Sequence, residues 1–328
     1  MNEVLAWLAE PADPAVRYRT LADLLGDPNA AGARDDLLRS LAVTRLRHSQ
    51  AADGSWHGPG YYVPKHRATF FVLLLLADWG LDRTQSWVER AAEFALAFQG
   101  PEGEFYQMRR PAGRRRPGRW PVPCVTARSA WALARLGYAG DSRVLGSAGW
   151  LESLQRPDGA WSCEGVAGPP GYRSARGCLG CAIWSLAALG EIPAFRGGSA
   201  HRRAAGFVLG RLGLPAAGYH METLWDVFTY PRYAYDAGMA VEALLAAGEP
   251  AGDHRLRQAI DRLAGRRRAD GRWILDRVPR RPPVNPGRRG RPSKWATFYA
   301  LRALGQGRGG GAGAVPGGTA SARRVSPG

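Results

Sequence analysis

QRPDGAWSCEGVAGPPGYRSARGCLGC, residues 155–181, contains the seven-residue unit whose reading decides the fold. Gln155 ends an amphipathic run, Asp158 and Gly159 supply a tight turn in which glycine accepts a positive φ, and Trp161 folds back onto the preceding helix. A loop rich in Gly and Pro then leads into an apolar helix beginning near Cys178. The turn recurs as QAADGSW at 50–56, QGPEGEF at 99–105 and RRADGRW at 267–273. The intervals are 49, 56 and 112 residues. Because the last is twice 56, a worn copy is expected near Arg211, where GRLGLPAAG has lost the Gln and the Trp.

A second series runs in phase with the first. Each turn leads through a loop into an apolar helix ending at Gly80, Gly137, Gly190, Gly248 or Gly305. These segments (ATFFVLLLLADWG, VTARSAWALARLG, CLGCAIWSLAALG, YDAGMAVEALLAAG, KWATFYALRALG) are apolar around most of their circumference, as helices buried on both sides must be. The segments between them, such as RTQSWVERAAEFALAFQ and DHRLRQAIDRLAGR, are amphipathic, with Asp141 and Asp253 as N-caps. At the start, residues 16–25 read as a further inner helix, 35–50 as its outer partner and 2–10 as a short outer helix. No stretch shows sustained strand alternation. Six inner and about six outer helices in alternation predict an all-α, closed α/α toroid over residues 1–306, with an open helical solenoid as the alternative. Residues 307–328 are rich in Gly, with Pro, Ser and Arg, and are expected to be disordered.

The chain carries a net charge of +17, with Lys65 and Lys294 its only lysines. Two acid-free loops, residues 109–119 and 277–291, hold six arginines each and so account for 12 of that excess. Four cysteines in 328 residues do not make a disulfide scaffold. The start, MNEVLAWLAEPADP, has neither a basic n-region nor a sustained apolar stretch. The most apolar run, residues 70–77, falls far short of the ~20 residues that span a bilayer. These features lead to the expectation of a cytoplasmic protein with no transmembrane segment.

The repeated Gln-x-x-Asp-Gly-x-Trp resembles the QW motif of squalene–hopene cyclases, oxidosqualene cyclases and the β subunits of protein prenyltransferases. More closely, the chain is similar to small bacterial prenyltransferase and squalene-oxidase repeat proteins over residues 14–305, through VRYRTL, PCVTARSAWALARLGY, DGAWSC and PSKWATFYALRAL. The resemblance implies the toroid. It implies less about function, because that fold also hosts lanthipeptide cyclases and glycosidases. The Asp-x-Asp-Asp acid of the cyclases is absent, and Asp35-Asp36 reads as a solvated first helical turn. An Asp-Asp-x-x-Asp magnesium motif is absent too, which argues against squalene cyclisation.

Counted back from the terminal Gly of each inner helix, Cys124 lies thirteen residues before Gly137, and Cys178 and Cys181 lie twelve and nine before Gly190. That register brings them to one end of the barrel, and Cys163 sits in the loop feeding the same end. Four soft ligands suit zinc, and a helix N-terminus favours the thiolate. The alternative is four ordinary buried cysteines. The resemblance adds that prenyltransferase β subunits and lanthipeptide cyclases hold zinc at this end, although the Asp-x-Cys of the first and the Cys-His-Gly of the second are absent here. Asp236 and His66 fall at similar register positions and are further candidate ligands.

Trp131, Trp184 and Tyr299 each lie six residues before a terminal Gly, which makes one barrel level aromatic. With Asp236 they are candidate cavity-lining residues for an isoprenoid or a carbocation; inner-helix packing explains the same stripe. Arg114, Arg115, Arg116, Arg288 and Arg289 are candidate anion binders, since guanidinium forks suit phosphates; the alternative is a solvated insert. Both arginine loops are expected at the cysteine end, and no charge cluster at the Gly end. The reading that results is a prenyltransferase-like or terpenoid-cyclase-like toroid with a cysteine-bound zinc at its mouth, taking an apolar or isoprenoid-like molecule with a diphosphate-like group. The competing reading is a non-enzymatic binding module with structural zinc, whose basic face docks nucleic acid or a protein.

Overall fold

A computed structural model describes residues 3–109, 118–162, 177–212 and 227–306. The inner helices are α2 (Pro14–Arg19, continued by wider π-type turns over Thr20–Leu25), α5 (Thr69–Trp79), α7 (Pro123–Leu133), α9 (Leu179–Glu191), α11 (Ala237–Ala246) and α13 (Lys294–Gln306). They pack in the order α2, α5, α7, α9, α11, α13, and α13 returns to α2 and its π-type continuation. The ring is closed, so the open solenoid is excluded. Outside it lie α1 (Glu3–Leu8), α3 (Ala30–Arg39) with α4 (Leu41–His48), α6 (Ser86–Leu96), α8 (Ser142–Ser153), α10 (Ser199–Leu209) and α12 (His254–Gly265). The protein is an all-α, α/α toroid.

The repeated turns account for the assembly. In each copy the aromatic buries itself and, where it is Trp, hands its indole N–H to a carbonyl ten residues back: Trp56 to Leu46 (2.9 Å), Trp161 to Leu151 (2.7 Å) and Trp273 to Leu263 (2.9 Å). The three tryptophans are therefore equivalent, as the repeat predicts. The Gln amide bridges to the next outer helix, with Gln50 donating to the Trp87 carbonyl (2.8 Å), Gln99 to Arg143 (2.7 Å) and Gln155 to Ala200 (2.9 Å). Gly159 is required twice over. Its φ is 87°, and a Cβ there would lie 2.2 Å from the Arg203 carbonyl oxygen on α10. Turn and next outer helix thus meet backbone to backbone, which only glycine permits.

Asp141 and Asp253 cap α8 and α12, each accepting a backbone N–H two residues on at 2.9 Å. α5 is buried along all eleven residues, whereas α6 buries one face through Trp87, Val88, Ala91, Ala92 and Ala95. Three local expectations are corrected. The first inner helix starts at Pro14, because Asp13 caps it (3.4 Å to the Val16 N–H) and proline suits the first turn. Its outer partner is two helices, because the extended Ser40 ends α3 and its Oγ caps α4. A short antiparallel pair, β1 (Tyr106–Arg109) and β2 (Gly118–Pro121), precedes α7 where no strand was expected. The expected disordered tail, residues 307–328, and the worn repeat GRLGLPAAG (210–218) from residue 213 on lie outside the described residues. Among the described residues, no helix is long and apolar enough to cross a membrane.

Candidate functional site

Every inner helix runs the same way, so their N-termini define one mouth. Cys124 is the second residue of α7, while Cys178 and Asp236 are the N-caps of α9 and α11, as the register predicts. Down α7 and the π-type turns over Ala134–Tyr138 that continue it, the half-buried residues are Cys124, Arg128, Trp131 and Arg135, between buried Val125, Ala127 and Ala130. Spacings of four, three and four trace one helical face, so this stripe is the wall that water reaches. Trp184 of α9 is fully buried and meets Trp131 edge-on, with centroids 5.4 Å apart. The Arg128 guanidinium lies 5.3 Å from the Trp184 ring centre. Arg128 Nε and Trp184 Nε1 are both buried without an acceptor.

The opposite wall comes from a segment whose role the sequence reading missed. Residues 228–236 bring Tyr230, Arg232, Tyr233 and Tyr235, all buried, into the ring. Tyr230 stacks on Trp295 at 4.7 Å and accepts the Trp79 indole N–H at 3.0 Å. Tyr233 fits between His66 (5.7 Å) and Phe71 (5.0 Å). Arg232 lies 3.7 Å over the Tyr299 ring and pairs with Glu242 at 3.3 Å. The dense Tyr and Arg of YPRYAYD (230–236) was the available signal. Asp236 faces the same group. Its Oδ1 caps α11 (2.8 Å to the Met239 N–H), and its Oδ2 lies 3.4 Å from Arg232 Nε without hydrogen-bond alignment. Burial pushes this carboxyl above its ordinary range, against the opposing pull of Arg232. Of the four residues expected to line a cavity, Trp184, Tyr299 and Asp236 are buried and Trp131 is half-buried.

The Gly end corrects an expectation. Instead of lacking charge it holds a network: Arg302 with Glu242 (3.0 Å) and Asp23 (3.8 Å), Arg19 with Asp23, Arg135 with Glu191 (2.7 Å), and the Tyr299 hydroxyl donating to Asp78. The physical reason is the parallel ring itself. Inner-helix C-termini converge there, and their carbonyls and negative dipole ends draw in arginines, which the acids then neutralise.

At the mouth, residues 274–292 form an ordered strap. Leu275 N donates to Arg291 O (2.9 Å), Gly290 N to Leu275 O (2.7 Å) and Asp276 N to Phe228 O (3.0 Å), while the Arg280 carbonyl approaches His66 Nδ1 at 3.3 Å. Beneath it is a basin of about 490 Å³ lined by Val227, Asp276, Arg277, Arg289 and Gly290. Both Asp276 oxygens are engaged, one by Phe228 N and one by Arg266, at 2.7 Å each. Arg277 and Arg289 are exposed, and neither makes an ion pair among the described residues. Arg288 is exposed beside them but does not line the basin. Arg114, Arg115 and Arg116 lie outside the described residues, although β1 and β2, which flank them, lead into α7 at the mouth.

The cysteines do not assemble a metal site among the described residues, where no three His, Cys, Asp or Glu side chains are grouped to hold an ion. Cys178 Sγ accepts the Cys181 N–H at 3.4 Å as a helix cap, and Cys181 is buried. Cys163, the fourth expected ligand, lies outside the described residues.

No family model matches the chain, and no curated protein does. Among solved structures it is similar to a protein from Actinoplanes (17% identity, 82% of this chain and 74% of that one, TM-score 0.47). It is also similar to the unsaturated glucuronyl hydrolase of Bacillus sp. GL1 (16% identity, 90% and 85%, TM-score 0.47). A third is the type II terpene cyclase MstE from Scytonema (15% identity, 81% and 95%, TM-score 0.33). At these values the function has to be argued from the site.

Proposed function

We propose that the protein is a prenyltransferase-like or terpenoid-cyclase-like toroid that binds an apolar molecule carrying an anionic group. The anionic group sits in the basin under Arg277 and Arg289, and the apolar part runs along the aromatics of residues 228–236 toward Trp131 and Trp184. The observation that carries this reading is the pairing of charge. Arginines throughout the Gly end are neutralised by acids, whereas the two lining the basin are not. Arg forks without counter-charge suit a diphosphate-like group. A zinc at the mouth belongs to this proposal only through Cys163, and no step is assigned to it.

The nucleic-acid reading finds less support. Among the described residues the exposed large hydrophobic side chains are Leu41 and Val63, so the arginines lack the aromatic platforms on which single strands stack. Calorimetric titration with geranyl diphosphate and with inorganic diphosphate tests the proposal. Geranyl diphosphate is expected to bind more tightly than diphosphate, and an Arg277→Ala/Arg289→Ala double variant to bind both roughly tenfold more weakly, most of all at low salt. Salt-dependent binding of DNA with no response to either diphosphate overturns it in favour of the binding module.

A further inference from the structure

The geometry points to a second anion subsite, inside the lumen, in which Arg128 and the Trp184 indole N–H receive the carboxylate of an apolar acid. It rests on the lumen being a ligand chamber, as proposed above, and not on the basin.

The argument starts from what Arg128 lacks. It makes no ion pair or hydrogen bond among the described residues; its one close partner is the Trp184 ring, 5.3 Å away. Buried acids elsewhere in the ring have partners of their own, Glu242 in Arg232 and Arg302 and Glu191 in Arg135, while burial holds the Asp236 carboxyl above its ordinary range. His66 feels the field of Arg128: burial first, then Lys65 and Arg128, lower the imidazole's pKa against the Arg280 carbonyl, so no counter-charge comes from there. A half-buried guanidinium without counter-charge is costly, and a fully buried indole N–H without an acceptor adds to that cost. Both belong to one corner of the lumen, on adjacent helices that face each other through Trp131 and Trp184.

The donor set also selects the ligand. One guanidinium and one neutral N–H match the charge and two oxygens of a carboxylate. A diphosphate asks for more cation than this corner holds. Cys124 lies one turn above Arg128 and Trp131 one turn below, so the group attached to the carboxylate meets apolar walls.

Calorimetry on the intact chain with octanoate, and with 1-octanol as its uncharged match, tests this. Octanoate is expected to bind at least about tenfold more tightly than 1-octanol. Arg128→Met should erase that preference, and Trp184→Phe, which keeps the ring but loses the N–H, should cut it several-fold without changing 1-octanol binding. Should Arg128→Met fail to fold, Arg128→Lys serves: it keeps the charge but loses the fork, and should keep only part of the preference. The Arg277→Ala/Arg289→Ala variant should leave octanoate untouched. Equal binding of octanoate and 1-octanol, no binding of octanoate at millimolar concentration, or a preference that survives Arg128→Met overturns the subsite and leaves Arg128 and Trp184 bridged by water alone. A preference that moves with the basin variant also overturns it, while leaving the basin reading intact. Loss of diphosphate binding with the Arg128-dependent preference retained has the reverse meaning.

Discussion

The two ends of the lumen use arginine in opposite ways. At the Gly end Arg19, Arg135 and Arg302 are each matched by a carboxylate. Toward the mouth Arg128, Arg277 and Arg289 have none among the described residues. The chain therefore distinguishes charge that builds the ring from charge held in reserve. The first kind is dictated by architecture, because parallel inner helices concentrate carbonyls and dipole ends at their C-termini. The second has no such architectural cause, and the proposed function rests on it.

The largest expected effect separates the two kinds directly. Arg302→Met leaves Glu242 to Arg232 and Asp23 to Arg19, each with one partner fewer, and should cost up to about 3 kcal/mol, the low end of the penalty for removing one member of a buried pair. Arg128→Met removes an unpaired charge and should change stability by less than about 1 kcal/mol, or raise it. Urea unfolding of both variants at equal m-value checks the contrast. Similar losses from both would break the comparison.

The comparison also presumes a ring held rigid by its outer turns. Gly159→Ala places a methyl against the Arg203 carbonyl in a left-handed backbone and should cost about 2 kcal/mol. A variant as stable as the parent would mean that the turns adapt, and that the spacing of the two ends is not fixed by them.

The fold was legible because its determinants are local and repeated. The Gln, Asp-Gly and Trp of each copy act on neighbours a few residues away or one repeat on, so periodicity reveals them. Trp131, Trp184 and Tyr299 were readable as one level for the same reason. Other features were not, because their partners are distant in sequence. Nothing near residues 228–236 announces that Tyr230 will meet Trp79 and Trp295, contacts spanning 151 residues in the first case. The register brought Cys124, Cys178 and Cys181 to one end, but it could not show that the Cys178 sulfur accepts the Cys181 N–H. Likewise the run of Arg288 and Arg289 reads as one basic patch, while the strap turns Arg289 into the basin and leaves Arg288 outside. An Arg288→Ala variant should accordingly weaken diphosphate binding less than Arg289→Ala, a difference that net charge alone would not produce.

The smallest effect concerns Asp236, which belongs by position to the mouth and by contact to the paired network. Burial raises its folded pKa above the ordinary 3.8. The folded protein therefore keeps a proton that the unfolded chain releases, and this group's contribution to stability falls as pH rises from about 3.8 through the raised value. Asp141 and Asp253 act with the opposite sign. Hydrogen bonds from Arg143 and Arg255 hold them below the usual range, so their stabilisation is present above the unfolded pKa and lost as pH falls through the folded one. Asp236→Asn keeps the oxygen that caps α11 and removes the titration. Stability should then climb more steeply from acid to neutral pH, because the two half-buried caps are no longer opposed. At neutral pH the variant should lie within about 1 kcal/mol of the parent. Denaturation midpoints measured across that range decide the matter. A curve parallel to the parent's, or a neutral-pH loss as large as that of Arg302→Met, would make Asp236 an ionised partner of Arg232 and move the boundary between structural and reserved charge up to the mouth itself.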